Sequence, residues 1–462
     1  MPELPEVETI RRLLQRMILG KRIESIDIFR AKNIDTNLAE FRKIPLGKTI
    51  TAIHRKGKLL GFELDHDFIL TSHLRMEGKY FFDEGKPLQD KHDILRFNFT
   101  DGSTLTYNDV RKFGRLGLYP YQGQESKTPF EELGPEPFAM DEEALYEGLQ
   151  HHSGVIKEAL MDQRLIAGIG NIYCDEILFD TGIHPLTPCR MLGIDHCARI
   201  LESARKILNE AIQDGGSTVR SYHPGHDIDG MFQNHLHAYG KVGTPCIYCK
   251  TRLKKITVNG RGTTYCPAHQ RNPLRPFVVG VTGPIHAGKS TVSRYFENKG
   301  YVLFDADKVA KEAYFSKPIH KKITLAFGEE SYLDGKPNIP YIRNLVAQDP
   351  SYRLVLNNII HPFVINKAKA LLRKAKAGER ILLDVPLLFP SRLDALCDVT
   401  LLVAAPEEKR KERLLEEGKD ADALLAVNAS YPFEEAKEKA SLVLDNDGTK
   451  EDLIKQLQAL PF

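Results

Sequence analysis

Phe277-Val-Val-Gly-Val-Thr282 followed by Gly283-Pro-Ile-His-Ala-Gly288-Lys289-Ser290-Thr291 sets an uncharged strand directly before a glycine-framed loop and a helix start. An uncharged, apolar run suits a strand covered on both faces, as parallel sheets require. The loop fits the pattern G-x-x-x-x-G-K-[S/T]. In that pattern backbone amides surround phosphate, the lysine reaches the β and γ oxygens, and the hydroxyl holds Mg²⁺. Gly283, Pro284, Ile285, His286, Ala287, Gly288, Lys289, Ser290 and Thr291 are therefore the expected ATP-binding residues, with Mg²⁺ accompanying the nucleotide. Downstream, apolar segments at 301–304, 381–383 and 400–403 alternate with helical stretches and predict a right-handed parallel α/β sheet. Asp305 and Asp307 fall at the carboxyl end of the second strand, where open α/β sheets place their chemistry. One aspartate there is often a helix cap; two beside a phosphate loop point to catalysis.

Upstream, Arg271-Asn-Pro-Leu-Arg-Pro276 reads as a short linker. Before it stand Cys246-Ile-Tyr-Cys249, sixteen residues, and Cys266-Pro-Ala-His269. Two such pairs on a β-ribbon are the spacing for one structural zinc held by Cys246, Cys249, Cys266 and His269. Lys241, Lys250, Arg252, Lys254, Lys255, Arg261, Arg271 and Arg275 lie in this region without a single acid. A uniformly basic hairpin is expected to grip phosphate, with Arg261 at its Asn-Gly-Arg-Gly tip.

At 462 residues the chain is long enough for two to four domains, and 42% hydrophobic residues can fill their cores. The net charge of +2 averages over unlike segments and says little about partners. No run of apolar residues reaches membrane-spanning length, and the acidic start is no secretory signal, so a cytoplasmic protein is expected. Seven cysteines, an odd count with three in the ribbon, favour metal over disulfides.

The chain opens Met-Pro-Glu-Leu-Pro-Glu-Val-Glu-Thr-Ile-Arg-Arg. Loss of Met1 ahead of a small proline would leave Pro2 with a secondary amine. Terminal amines titrate at roughly 7.7–8.0 against about 10.4 for lysine, so this one is a ready Schiff-base nucleophile. Its iminium has no N–H to lose and would draw electrons from an adjacent C–H bond. Pro5 suits a first helical turn, and Val7, Ile10, Leu13, Leu14, Met17 and Ile18 recur at helical spacing. The positive end of that helix would lower the amine's proton affinity, and Glu3 could exchange protons with sugar or leaving group.

Short strands at 23–29, 49–64, 68–74, 95–98 and 104–107 predict a β-sandwich or barrel. Arg55-Lys-Gly-Lys58 puts cations at a strand start, and His73-Leu-Arg-Met76 puts an apolar side chain at a strand end. Arg111 and Phe113, two apart in an extended loop, share a face. An apolar wedge beside an arginine is what a vacated base stack accepts. Beyond Asp141 the pattern turns helical. Gly168 and Gly170 interrupt it just before Asn171 and Tyr173, a turn able to hold phosphate on the next helix start.

Together these stretches, with Gly215-Gly-Ser-Thr218, resemble the bacterial formamidopyrimidine-DNA glycosylases over residues 1–273. The resemblance implies excision of oxidised purines, 8-oxoguanine and formamidopyrimidines, from double-stranded DNA, followed by strand cleavage. It implies Pro2 as nucleophile at C1′, Glu3 as acid/base, Glu6 as a supporting acid and Lys58 as a phosphate contact in the site. Met76, Arg111 and Phe113 would fill the gap left by a flipped base, and His92, Lys157, Asn171 and Arg261 would be further DNA contacts. The loop after Thr218 would cover the damaged base. A sister branch resembling endonuclease VIII prefers oxidised pyrimidines; the Met76, Arg111, Phe113 set and Gly216-Ser-Thr218 favour the purine branch. Where the family normally has a fourth cysteine, this chain has His269.

Residues 277–460 resemble dephospho-CoA kinase through the phosphate loop, Asp305-Ala-Asp307, Ile360-His-Pro362, Asp384-Val-Pro-Leu-Leu-Phe389 and Asp445-Asn446. That implies ATP-dependent phosphorylation of the dephospho-CoA ribose 3′-hydroxyl, with Asp307 as base and Asp384 near the metal. The chain departs from that pattern at Pro284, at Pro390, at Glu416 and Glu417 in place of a lid arginine, and at Ser430. A multidomain monomer is expected: a catalytic β-sandwich over 1–130, a helix-two-turn-helix domain over 131–240, a zinc β-ribbon over 241–273 and an α/β P-loop kinase domain over 277–462. The competing readings are a non-catalytic lesion-binding adaptor and a degenerate nucleotide module.

Overall fold

Glu6 folds its carboxylate back onto the Glu3 N–H at 2.8 Å and so starts α1 (Leu4–Ile18), whose Val7, Ile10, Leu14 and Ile18 are buried. The structure, a computed structural model, describes residues 2–85, 87–123, 127–216, 231–428 and 431–462. The chain divides into two compact units. One runs to Val242 and takes in Lys255–Tyr265; the other comprises Gly243–Lys254 and Cys266–Phe462.

In the first unit, β1 (Ile23–Ile28), β2 (Ile50–Lys56), β3 (Leu59–Leu64), β4 (Phe68–His73), β5 (Gly78–Asp83), β6 (Asp93–Phe99), β7 (Thr104–Asp109) and β8 (Arg115–Pro120) form two antiparallel sheets. Their orders are β1-β6-β7-β5 and β2-β3-β4-β8, and Phe62, Leu64, Leu70, Tyr80, Phe97 and Tyr107 share one core with α1. The expected sandwich is present, with changes to its strands. The segment 49–64 is two strands, and Gly57-Lys58 is the turn between them, so Lys58 stands on a turn rather than at a strand start. Strands β5 and β8 lie outside the expected segments; in β8, Gly117 interrupts the pattern and Pro120 closes it.

Beyond a short α2 (Leu38–Lys43), the helices α3 (Glu142–His151), α4 (Ile156–Met161), α5 (Asn171–Asp180) and α6 (Ile194–Gln213) pack around Leu145, Leu160, Ile177 and Leu201. The hairpin of β9 (Lys254–Val258) and β10 (Arg261–Tyr265) turns on Asn259 and Gly260, both at positive φ, the two-residue connection that strand twist favours.

The second unit contains β11 (Phe277–Thr282), β12 (Val302–Asp305), a two-residue hairpin β13 (Tyr332–Leu333) and β14 (Lys336–Pro337), β15 (Arg380–Asp384), β16 (Val399–Ala404) and β17 (Leu442–Asp445). Five of them make a parallel sheet ordered β12-β15-β11-β16-β17. Around it lie α7 (Lys289–Asn298), α8 (Ala306–Ala313), α9 (Lys317–Phe327), α10 (Ile339–Gln348), α11 (Pro350–Lys374), α12 (Glu407–Glu416), α13 (Ala421–Asn428), α14 (Phe433–Lys439) and α15 (Lys450–Gln458). Register pairs Val281 and Asp305 with Asp384, which gathers three strand ends beside the phosphate loop. Among the described residues no helix is long and apolar enough to cross a membrane.

Candidate active sites

Glu3 is buried, and its carboxylate is held by a helix other than its own. It accepts the N–H groups of Gly170 at 2.7 Å, Ile172 at 2.9 Å and Tyr173 at 3.3 Å, the open amides at the start of α5. A Cβ on residue 170 would collide with that carboxylate, which is why the odd Gly-Ile-Gly-Asn run needs glycine here. Burial raises the Glu3 carboxyl above its ordinary value; Lys58 and the amides oppose it, and Glu6 adds to it. Tyr173 donates its hydroxyl to Glu6 at 2.7 Å, so the second acid is fixed beside the first. Lys58, also buried, donates to the Ile169 carbonyl at 2.8 Å, and burial lowers its pKa against the pull of Glu3. The two acids and the lysine thus converge on the start of α5.

Two loops share one end of the first sheet because Gly78 pairs with Asp109. Met76 lies in the loop between β4 and β5, and Arg111 and Phe113 lie in the loop after β7. Met76 and Phe113 are exposed, at 39% and 52%, and the Arg111 guanidinium lies 4.8 Å from the Phe113 ring centre. Fully buried Asp109 shapes the second loop by accepting from Arg111 at 2.9 Å, Phe113 at 2.8 Å and Gly114 at 2.7 Å. Asn33 clamps the same loop from another part of the chain through the Gly114 and Lys112 carbonyls. His92 is half-buried and its carbonyl accepts the Asp109 N–H.

Asn171 donates to the Gly262 carbonyl at 3.1 Å, and Asp175 accepts the Thr264 N–H at 2.9 Å, so α5 also holds the hairpin that carries exposed Arg261. Lys157 is 1% exposed and ion-paired with buried Asp175. The expected phosphate contact at Lys157 is thus an internal pair in this structure. Burial outweighs the lysine at Asp175 and pushes its carboxyl up to about 6.

The sulfurs of Cys246, Cys249 and Cys266 all lie within 4.8 Å of one another, with 3.4 Å between Cys249 and Cys266. That spacing fits thiolates around one tetrahedral zinc. His269 falls outside this sulfur cluster; its ring stacks on Tyr248 at 4.5 Å. Its backbone N–H does point at the Cys266 sulfur, at 3.4 Å. The uniform basic grip expected of the ribbon is not what the cations around it form. Arg252 donates to the Ala440 carbonyl, Lys254 to that of Cys397 and Arg271 to that of Pro461, while Arg275 pairs with Asp398. These four hold the cysteine knuckle and linker within the second unit.

In the second unit Lys289 donates to the Gly283 and Pro284 carbonyls at 2.8 and 3.0 Å. Asp305 caps α8 through the Lys308 N–H, which leaves Asp307 as the aspartate that lines a 390 Å³ cavity with His361 and Pro386. Burial raises both Asp307 and Asp384, with Lys289 opposing, and Ser293 donates to Asp384 at 2.6 Å.

Three family models match the chain. Residues 1–116 match the formamidopyrimidine-DNA glycosylase N-terminal domain and 133–223 the H2TH domain of the same enzymes. Residues 277–452 match dephospho-CoA kinase. A formamidopyrimidine-DNA glycosylase of Bacillus cereus is 43% identical over 274 residues, which are 58% of this chain and 99% of that one. Another from Oceanobacillus iheyensis is 43% identical over 277 residues, 59% of this chain and 98% of its own. The chain belongs to the formamidopyrimidine-DNA glycosylase family.

Solved structures agree. A Lactococcus lactis FPG mutant with a Fapy-dG containing DNA is 40% identical, covers 59% of this chain and all of its own, and gives a TM-score of 0.55. The Lactococcus lactis enzyme with an abasic-site DNA covers 58% of this chain at a TM-score of 0.54. Beyond the glycosylase part, the chain carries the dephospho-CoA kinase domain.

Several residues that build the glycosylase site escaped the sequence reading. Gln163 holds both the Gly168 N–H and the Ile169 carbonyl, the latter shared with Lys58. Glu176 collects the N–H groups of His237, Ala238 and Tyr239. Asn33 and Gln163 gave no signal, because amides that bind backbone far along the chain look like any surface amide. Ser217, Thr218 and the loop after them lie outside the described residues, as does Ser430; Gly216, the last described before that loop, packs on Glu6.

Proposed function

We propose that the glycosylase part excises oxidised purines from duplex DNA and cleaves the strand, and that the C-terminal domain phosphorylates dephospho-CoA. The observation that carries the first reading is the Glu3 carboxylate, buried beside Pro2, on the amides of α5. With Met1 removed, the Pro2 nitrogen attacks C1′ of the lesion nucleotide. The glycosidic bond breaks, and the departing base leaves with its bonding pair and a proton. Burial raises the Glu3 carboxyl and so favours the protonated form that would lend this proton. The Pro2 nitrogen then gives up its proton, and its lone pair opens the sugar ring as the C1′–O4′ bond breaks and O4′ takes a proton. The resulting iminium acidifies C2′–H, and removal of that proton expels the 3′ phosphate as the C3′–O bond breaks. Lys58 holds a neighbouring phosphate, Met76, Arg111 and Phe113 enter the vacated stack, and Asn171, His92 and Arg261 serve the backbone.

Zinc at Cys246, Cys249 and Cys266, with His269 as fourth ligand, would be structural and would stiffen the knuckle. In the kinase domain Asp307 would take the ribose 3′-hydroxyl proton while the phosphate loop holds ATP with Mg²⁺ on Ser290 and near Asp384. Its substrate side is the cavity lined by Asp307 and His361. Functional domains at 1–130, 131–240, 241–273 and 277–462, a monomer and a cytoplasmic setting complete this reading.

Borohydride trapping on an oxidised-guanine duplex tests the first activity. A covalent adduct is expected for the wild type and none for Pro2→Glu, whose larger side chain keeps Met1 in place; a wild type that gives no adduct refutes it. Formation of 3′-phosphorylated CoA from dephospho-CoA and ATP tests the second.

A further inference from the structure

Arg410 closes the first turn of α12, where its side chain is 12% exposed and lines a 510 Å³ cavity together with Pro284 of the phosphate loop, Tyr431, and the acids Glu407, Asp445 and Asp447. Strand β16 pairs with β11, and α12 follows β16, which brings this helix start beside the loop. One turn on, Arg413 is committed to backbone: it donates to the His286 carbonyl at 3.2 Å and that of Asn446 at 2.9 Å. Further along, Glu417 stands 3.6 Å from the His286 ring and 2.5 Å from the Lys419 ammonium. The position where a lid arginine is expected therefore presents an acid to the loop.

We propose that Arg410 contacts the β and γ phosphates of a nucleoside triphosphate bound at residues 283–291, and supplies the charge that Glu416 and Glu417 withhold. This rests on reading the domain as an ATP-dependent kinase. The Arg410 charge already reaches the site: after burial, it is the charge that lowers Lys289, against Asp384 and Asp307. Glu407 stands 3.4 Å from it and is 71% exposed. Phosphate matches a guanidinium fork in geometry and carries more charge than a carboxylate.

The test is calorimetric titration of the full chain with ATP and with AMP, both with Mg²⁺. In Arg410→Gln, ATP affinity is expected to fall by about tenfold or more and AMP affinity by less than about threefold. Equal losses for both nucleotides, or none, overturn the proposal. Arg410→Lys, which keeps charge and loses the fork, is expected to lose ATP affinity by about threefold with AMP unchanged, and decides the matter if the glutamine variant misfolds. Wild-type turnover of dephospho-CoA is assayed separately. No turnover with Arg410-dependent ATP preference ends the kinase reading and leaves Arg410 in place; turnover with no such preference does the reverse.

Discussion

The Glu3 carboxylate and the Gly170 N–H are 2.7 Å apart, and no side chain fits between them. The first residues of the chain are therefore registered against a helix start more than a hundred and sixty positions away. Gly170→Ala should push the carboxylate off the α5 amides. Excision from an oxidised-guanine duplex is expected to slow by about 10²-fold or more, the usual worth of a positioned acid. Single-turnover excision measures this; a wild-type rate in Gly170→Ala would show that Glu3 does not act from this position.

Glu8 gives a pH prediction. Burial opposes its charge, yet the guanidiniums of Arg11, Arg55 and Arg12 outweigh burial and pull the carboxyl down to about 2. A folded value below the unfolded one means the ionised form is what folding favours. The stabilisation is present above about pH 4.3 and is lost as pH falls through about 2. Discounted for partial solvent screening, it is about 1–2 kcal/mol. Glu8→Gln should unfold at lower urea than the wild type at pH 7, and the gap should narrow steadily between pH 4 and pH 2. A gap that stays constant with pH would assign the loss to packing instead.

Asp109 makes a different demand on its loop. Its side chain satisfies three backbone donors, and a buried N–H left without a partner costs about 1–3 kcal/mol. Asp109→Ala should release Arg111 and Phe113 from their set conformation. Binding to lesion duplex is expected to weaken by about tenfold or more, while trapping on a strand that already lacks its base is less affected. Equal losses on both substrates would mean that the loop serves the fold and not the base stack.

Much of this was legible in the chain, and for specific reasons. The phosphate loop and the strand before it are local patterns whose chemistry dictates their spacing, and β11 and α7 stand where residues 277–291 place them. The cysteine triad is equally local. Long-range polar pairing was not legible: nothing near Lys157 announces Asp175, and nothing near Asn33 announces Gly114. The basic ribbon misled for the same reason. A run of cations reads as a phosphate grip until the carbonyls and the single aspartate that receive them, from Cys397, Ala440 and Asp398, are in view.

Those cations yield the last prediction, because the two kinds can be separated by salt. Lys254 donates to the Cys397 carbonyl at 2.8 Å, and Asp398 takes both Arg275 and the Val278 N–H at the start of β11. Neither contact involves nucleic acid, so Lys254→Ala should leave the salt dependence of DNA binding unchanged while the second unit loses about 1–2 kcal/mol of stability. Arg261 is exposed at the hairpin turn and should behave oppositely: Arg261→Ala lowers the slope of log affinity against log salt by about one, with little change in melting temperature. Stripping metal from the cysteine triad with a chelator should destabilise the same unit that Lys254→Ala does, since the knuckle's Gly243–Lys254 belongs to it. A chelator that lowers DNA affinity and leaves the melting of that unit untouched would show that the knuckle is held by the DNA-binding part alone.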